Sequence, residues 1–248
     1  MNIKKIITGS FMLAALITAS ANTQAQSLGN ILNKVSGGNS TSNKSNLSNT
    51  DIVSGLKEAL NVGAKNASNQ LAVKDGFFKN AAIKILLPKE VQQVEVALRK
   101  AGLGTLVDDA IVKMNRAAED ASKKAAPIFV NAITSITIND GLSILTGANN
   151  AATTYLQSKT TASLTQAFRP SIENSLNKVG AVTAWKKVFD AYNKIPLVNK
   201  KINSDLTGYV TERALSGLFT TIAQEELKIR TNPAAQVSNI LKKVFGNG

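Results

Sequence analysis

Apolar residues recur at every third or fourth position along most of this chain, and that spacing limits its possible folds more than any other feature. Early in the body it covers Ile52, Leu56, Leu60, Ala64 and Ala67, and late in the chain it covers Val210, Ala214, Leu218 and Ile222. Residues spaced in this way lie on one face of an α-helix. We therefore predict an all-α protein, with a single bundle-like domain of about eight to ten helices over residues 51–248.

Capping residues and prolines divide this pattern into helices. The first expected helix begins at Asp51 and is capped by Asn49, Thr50 or Asp51 itself. The other expected helices run from Thr105 to about Ala126, Asn150 to about Arg169, Ala181 to Lys194, and Asp205 or Thr207 to about Arg230. Pro127 should end or kink the second helix of this series, and Pro170 should interrupt the third. Residues 128–138 are apolar and β-branched, so their secondary structure stays ambiguous.

A connector without helical spacing follows the first helix. Asp75-Gly76 is typical of a turn. We assign the apolar residues after it to the core: Phe77, Phe78, Ile83, Leu86 and Leu87. Pro88 suits the first position of the next helix.

The first residues have the pattern of a secretory signal peptide. Lys4 and Lys5 precede an apolar run over residues 6–17, and small residues offer cleavage after Ala21 or Ala25. The alternative is a membrane anchor, but a spanning helix needs roughly 20 apolar residues and this run is shorter. We expect a signal peptide over residues 1–25, a flexible Ser/Gly/Asn linker over 26–50, and a periplasmic or secreted mature protein.

The chain contains no cysteine and no histidine. Disulfides, thiol catalysis, Cys/His zinc sites and a Ser-His-Asp triad are therefore impossible. A lipid anchor on an N-terminal cysteine is impossible for the same reason. We expect no cofactor, no catalytic constellation and no transition-metal site, although carboxylates could still hold calcium.

The formal net charge is +13. Such a surplus attracts anions. The expected partners are anionic lipid headgroups, polysaccharide or another envelope protein, and nucleic acid is disfavoured by export. The alternative is that the charge serves solubility alone. No later segment reaches 18 uninterrupted apolar residues, so we expect no transmembrane span in the mature chain.

The densest polar cluster lies between Asp108 and Lys124. Its charges predict four pairs at a spacing of four residues: Asp109 with Lys113, Arg116 with Asp120, Glu119 with Lys123, and Asp120 with Lys124. Pairs of this kind are typical of a solvated helix face. The alternative makes Asn115 and Glu119, with Arg116 between them, an inward polar group that binds a ligand or clamps another helix.

A second cluster is basic and contains Lys186, Lys187, Lys200 and Lys201, with Trp185, Phe189 and Tyr192 among them. It could bind an anionic membrane surface. The alternative is that the aromatic residues are core and the lysines are solvated. A third group pairs Glu226 with Arg230 and needs a partner for Glu225, for which Arg116 or Arg213 is suitable. We interpret this third group as fold architecture.

Five stretches carry a resemblance to a known family. They are Gly55–Leu60, Phe77-Phe78 with Ile83–Pro88, Met114–Ala121, Ile144–Gly147 and Ile229–Pro233. Over roughly residues 51–248 the chain resembles the bacterial family known as domain of unknown function 4197. The resemblance implies a secreted or periplasmic helical protein, and it brings no activity, ligand or catalytic residue. Some members resemble lipoproteins, whereas this chain lacks the leader cysteine.

The sequence thus leads to three hypotheses. The first is a non-enzymatic binding or structural protein of the cell envelope with an anionic or amphipathic partner. The second is a hydrolase that uses Glu119 with Asp108 or Asp120, which a buried, cleft-facing Glu119 would favour. The third is an envelope protein–protein module, which a large exposed apolar patch would favour.

Overall fold

The computed structural model describes residues 48–100, 102, 104–183, 185–186 and 204–232, and within them it contains no β-strand. The α-helices with both ends in these ranges are α1 (Asn49–Ala72), α2 (Gln92–Lys100), α3 (Gly104–Ser122), α4 (Ala125–Thr134), α5 (Ile138–Thr146), α6 (Ala151–Asn177) and α7 (Leu206–Thr231). A single turn of 3-10 helix, Lys89–Val91, precedes α2. The predicted all-α class with about eight helices is confirmed. The predicted signal peptide and most of the linker lie outside the described residues. Of the predicted helix from Ala181 to Lys194, residues 181–183 and 185–186 are described and are helical.

The four long helices build the core. α6 and α7 pack along each other, α3 packs on α6, and α1 packs on α7, while α4 and α5 cover α1 and α6. One cluster of buried apolar side chains joins all of these helices. The predicted inward stripes of α1 and α7 are buried, for example at Leu56 and Leu218, and α3 buries a similar stripe that includes Met114. Burial of these stripes is the main stabilising contribution, since a helix in isolation is marginal in water.

Several helix boundaries differ from the prediction. Ser48 caps α1 in a capping box with Asp51, so Asp51 is the third helical residue and not the cap. α3 ends at Ser122, four residues early, and Pro127 does not cause that break. Pro127 is the third residue of α4, where the missing N–H has no acceptor within the helix. The ambiguous residues 128–138 are helical through Thr134, and α5 begins at Ile138.

The prediction that Pro170 interrupts a helix is wrong. α6 continues through Pro170 to Asn177. The proline and Gln166, whose carbonyl loses its intrahelical partner, both lie on the exposed side of the helix, where water is available. Meanwhile Phe168, Ile172 and Leu176 are fully buried on the other side and hold both halves of α6 against the core.

The connector after α1 is a tight turn followed by an extended segment. Asp75 has a φ of 73°, and a Cβ on Gly76 would lie 2.5 Å from the carbonyl oxygen of Gln70. Phe77 and Ile83 are buried as predicted. Leu86 is not, being 55% exposed, and Ile85 occupies the core in its place.

A buried ion pair joins α7 to the junction of α5 and α6. Glu226 and Arg230 approach to 2.9 Å as predicted, and both side chains are almost fully buried. The Glu226 carboxylate accepts the backbone N–H groups of Ala152 and Thr153 at the start of α6, and Arg230 donates to the carbonyl of Ile144 near the end of α5. The negative charge therefore lies at the N-terminus of α6 and the positive charge near the C-terminus of α5, and each interacts favourably with the helix dipole there. Glu225 pairs with Lys228, one turn along its own helix, and Arg116 has other partners.

Candidate functional site

Asn115 and Glu119 lie one turn apart on α3 and hold the connector by its backbone. Asn115 accepts the N–H of Ile85 at 2.9 Å and donates to the carbonyl of the same residue at 2.8 Å. Glu119 Oε1 accepts the N–H groups of Phe77 and Phe78 at 3.1 and 3.2 Å. This segment has no strand or helix to pair its polar groups, so the two side chains supply partners that a buried backbone needs.

Arg116 completes this polar clamp. Its guanidinium donates to Glu119 Oε2 at 2.6 Å and to Asp75 Oδ1 at 2.6 Å. The hydrogen bonds from Arg116 and Lys79 lower the pKa of Asp75, and the bonds to Glu119 and Asp75 raise the pKa of Arg116. Arg116 Cζ also lies 5.6 Å from the ring centroid of Phe78.

These contacts decide between the two interpretations of the polar cluster. The solvated face is wrong for Asn115 and Glu119, which are 0% and 4% exposed. Three predicted pairs are also wrong: Arg116 with Asp120, Glu119 with Lys123, and Asp120 with Lys124. Arg116 pairs with Glu119 instead, and Asp120 pairs with Lys123. The pair of Asp109 with Lys113 forms as predicted. The inward polar group therefore exists, and what it clamps is the connector rather than another helix.

The predicted basic cluster is only partly described. Lys186 is exposed, and Trp185 is half-buried against the core, as the aromatic-stripe alternative expects. Lys187, Lys200 and Lys201 lie outside the described residues, so the basic face stays a prediction.

The connector and α3 also form two walls of an apolar cavity of about 420 Å³ that sequence analysis did not find. Its apolar lining comes from five separate segments: Leu87, Val91, Val94, Leu106, Val107, Ala110, Met114, Val179, Ala181, Trp185 and Leu206. Two of these side chains stay largely exposed, Leu106 at 60% and Val179 at 45%. A cavity lined in this way can accept an aliphatic or aromatic group.

Charged residues surround the cavity in pairs. Lys113 pairs with Asp109, and Arg99 pairs with Glu95 at 3.0 Å and with Asp108 at 2.8 Å. The Arg99 hydrogen bond lowers the pKa of Asp108. Because these charged side chains pair with one another, the rim of the cavity that they form does not favour a ligand of one particular charge.

A second cavity, of about 620 Å³, lies between α6 and α7, and its lining combines hydroxyl groups with charged and apolar side chains. Several of these hydroxyls, including those of Thr161, Thr165, Thr211 and Thr220, donate to the carbonyl four residues earlier in their own helix. Hydroxyls occupied in this way have less capacity for a ligand, so the apolar cavity is the better candidate site.

The whole-chain comparison identifies the family. The model of one protein family, described as "protein of unknown function (DUF4197)", matches residues 46–246. The chain belongs to the DUF4197 family. The match begins two residues before the Ser48 cap of α1, so it covers every described helix. No curated protein and no solved structure matches the chain.

Membership in the DUF4197 family brings no activity or ligand, so the chemistry must come from the site itself. No group of three or more Asp, Glu, His or Cys side chains that could hold a metal ion occurs within the described ranges. Glu119 is buried, but it is absent from the walls of the two cavities above, and both of its oxygens are occupied. The feature that remains as a candidate site is the apolar cavity.

Proposed function

We propose that this protein is a non-enzymatic binding protein of the cell envelope whose ligand is amphipathic, with its apolar part in the cavity beside Trp185. The cavity itself carries the proposal. Sites for small molecules typically measure about 300–1,000 Å³ and are mostly apolar with a few polar groups at the edge. The volume and the lining of this cavity both fit that description.

The exposed apolar side chains support the same conclusion. Leu106 and Val179 keep much of their surface in water although they border the cavity. Covering this surface with a ligand would remove it from water at a gain of roughly 25 cal/mol per Å². The rim charges already pair with one another, so most of the affinity comes from apolar burial and depends little on salt.

The hydrolase alternative loses its main support. It required Glu119 to face a cleft, whereas the carboxylate accepts two backbone N–H groups and one guanidinium N–H. A general acid or base must reach its substrate within hydrogen-bond distance. Glu119 can do so only if the connector moves away.

The location in the envelope rests on the first 25 residues. Lys4, Lys5 and the apolar run after them predict export and cleavage after Ala21 or Ala25. Intact-mass measurement of the chain extracted from the envelope tests this part. A chain that still carries Met1 contradicts it.

Trp185 provides the test of ligand binding, because it is the only tryptophan and lines the cavity. Titration with lysophosphatidylcholine below its micelle concentration should change the Trp185 fluorescence with saturation, at low and high salt alike. Glycerophosphocholine has the same headgroup without the aliphatic chain and should give no change. Equal responses to the two compounds, or none, reject the proposed site.

A matched pair of variants locates the binding. Ala110→Phe places a ring in the cavity, whereas Ala162→Phe adds the same ring on the exposed side of α6. The first variant should weaken lysophosphatidylcholine binding by about tenfold or more, which corresponds to about 1.4 kcal/mol. The second should bind as the wild type does. Circular dichroism confirms that both variants are folded.

A further inference from the structure

The segment that forms α4 and α5 is unusually poor in charge. From Ala125 to Asn150 the only charged residue is Asp140, although 18% of the whole chain is charged. Asp140 is already used within α5, where its carboxylate accepts the backbone N–H and the hydroxyl of Thr137 in a capping box. The surface of this segment therefore lacks a free charge that would resist transfer out of water.

α4 and α5 meet as an elbow with an angle of 108° between them. Their inner sides belong to the core, where Phe129 and Ile133 of α4 and Ile144 of α5 are buried. Their outer sides expose uncharged side chains: Pro127, Val130, Asn131, Ile138, Asn139 and Ser143. Val130 and Ile138 are 44% and 45% exposed. The α4–α5 elbow, residues 125–146, thus presents an apolar and amide surface without a covering element among the described residues.

Lysines border this elbow at its start and at its bend. Lys124 is exposed and directly precedes α4, and Lys57 donates to the carbonyl of Thr134 at the end of α4. Lys159 is exposed. It lies near α5, since its Nζ is 5.5 Å from the ring centroid of Tyr155, and the Tyr155 hydroxyl donates to Asp140 of α5. An uncharged surface bordered by cations matches a bilayer surface that carries anionic headgroups above its acyl chains.

We propose that the α4–α5 elbow docks on an anionic lipid surface, with Val130 and Ile138 inserted at the headgroup level and the bordering lysines against phosphates. This proposal does not depend on ligand binding in the cavity beside Trp185. No single helix among the described residues is long and apolar enough to cross a membrane, and α4 and α5 satisfy that test only together, across their bend. Their buried inner sides fit contact with the membrane surface, since a spanning arrangement would remove Phe129 and Ile133 from the core.

The first test is co-sedimentation of the full chain with vesicles of phosphatidylglycerol and phosphatidylcholine, compared with vesicles of phosphatidylcholine alone. Val130→Asp/Ile138→Asp should weaken binding to the anionic vesicles by about tenfold or more. Val73→Asp/Leu227→Asp is the control, because it adds the same charge at two apolar residues that are 58% and 45% exposed elsewhere. Equal losses in both double variants would reduce the effect to net charge and overturn the proposal.

Other outcomes overturn it as well. The proposal is overturned if the wild-type protein does not bind the anionic vesicles. It is also overturned if the wild-type protein self-associates through Val130 and Ile138 without lipid. Binding that is lost only when Lys186, Lys187, Lys200 and Lys201 are changed to Gln would move the docking surface to the predicted basic face. Ala110→Phe should leave vesicle binding unchanged, which separates this proposal from the proposed cavity ligand.

A second measurement keeps the proposal testable if the aspartate variant does not fold. The chain has no cysteine, so Ile138→Cys accepts a single environment-sensitive dye, and Leu227→Cys gives the matched control. Anionic vesicles should shift the dye emission to the blue at position 138 and leave it unchanged at position 227. An equal vesicle-induced shift of the dye emission at both positions contradicts docking through the elbow.

Discussion

Asn115 satisfies three backbone groups while it is itself 0% exposed. Its amide donates to the carbonyls of Ile85 and Ile111 at 2.8 and 2.7 Å, and its Oδ1 accepts the N–H of Ile85. Asn115→Ala leaves the N–H and the carbonyl of Ile85 buried without these partners. Each lost partner costs about 1–3 kcal/mol, so for the two together we expect a destabilisation of about 2–6 kcal/mol in urea unfolding.

The control for Asn115→Ala is Asn66→Ala, on the exposed side of α1. That change should alter the free energy of unfolding by less than about 0.5 kcal/mol. If both variants lose the same stability, Asn115 does not hold the connector in the way described.

Asp75 makes the same region sensitive to pH. Hydrogen bonds from Arg116 and Lys79 lower its pKa from the ordinary 3.8. A carboxyl whose pKa is lower in the folded state stabilises the fold above its unfolded pKa, and this stabilisation is lost as the pH falls through the folded value. Asp75→Asn should therefore destabilise the protein at neutral pH, and its difference from wild type should shrink as the pH falls below 3.8. Asparagine also tolerates the positive φ of this position.

Urea unfolding at several pH values measures that difference. In an Arg116→Met background, the same Asp75→Asn change should cost less at neutral pH, because the main partner is absent. A cost that is independent of both pH and Arg116 would show that the ion pair contributes nothing measurable.

At the scale of the helices, Pro170 is the position where the sequence and the structure disagree most. α6 continues through it, so a helical N–H is missing opposite the exposed carbonyl of Gln166. Pro170→Ala should restore that hydrogen bond and stabilise the protein by about 1–2 kcal/mol. This value is below the usual cost of about 3 kcal/mol for an internal proline, because α6 already accommodates the ring and alanine frees the unfolded chain.

Pro127→Ala is the matched control for this change. Pro127 is the third residue of α4, where its missing N–H costs no intrahelical bond. The melting temperature should therefore rise for Pro170→Ala and stay the same or fall for Pro127→Ala. A rise in both would point to a general effect of proline on the unfolded chain and not to the lost bond in α6.

The helices could be predicted because apolar spacing is a local signal, and the buried stripes of α1, α3 and α7 follow it. The connector could not, because whether Ile85 or Leu86 is buried depends on hydrogen bonds from α3, thirty residues away in the case of Asn115. Asn115 and Glu119 gave one usable signal, namely polar residues one turn apart on an otherwise apolar face. The charges around them favoured the wrong local pairs, since Arg116 instead joins Asp75 across the fold.

At the scale of the molecule, the candidate site had no sequence signal at all. Its walls combine the connector, α2, α3, the residues after α6 and the start of α7, and no single segment among them is unusual. Family membership adds no ligand either. The cavity is a consequence of how these segments pack, and so a folded structure was needed to find it.

The described helices should unfold as one unit. A single cluster of buried side chains runs from Ile52 in α1 to Ile222 in α7, and Trp185 packs both on this cluster and on Val91 near α2. Circular dichroism of the helices and fluorescence of Trp185 should therefore give the same midpoint in urea, as expected for a two-state transition. An earlier midpoint for Trp185 would contradict this: the cavity walls would then open while α1, α6 and α7 remain folded, and a ligand could enter by that local opening.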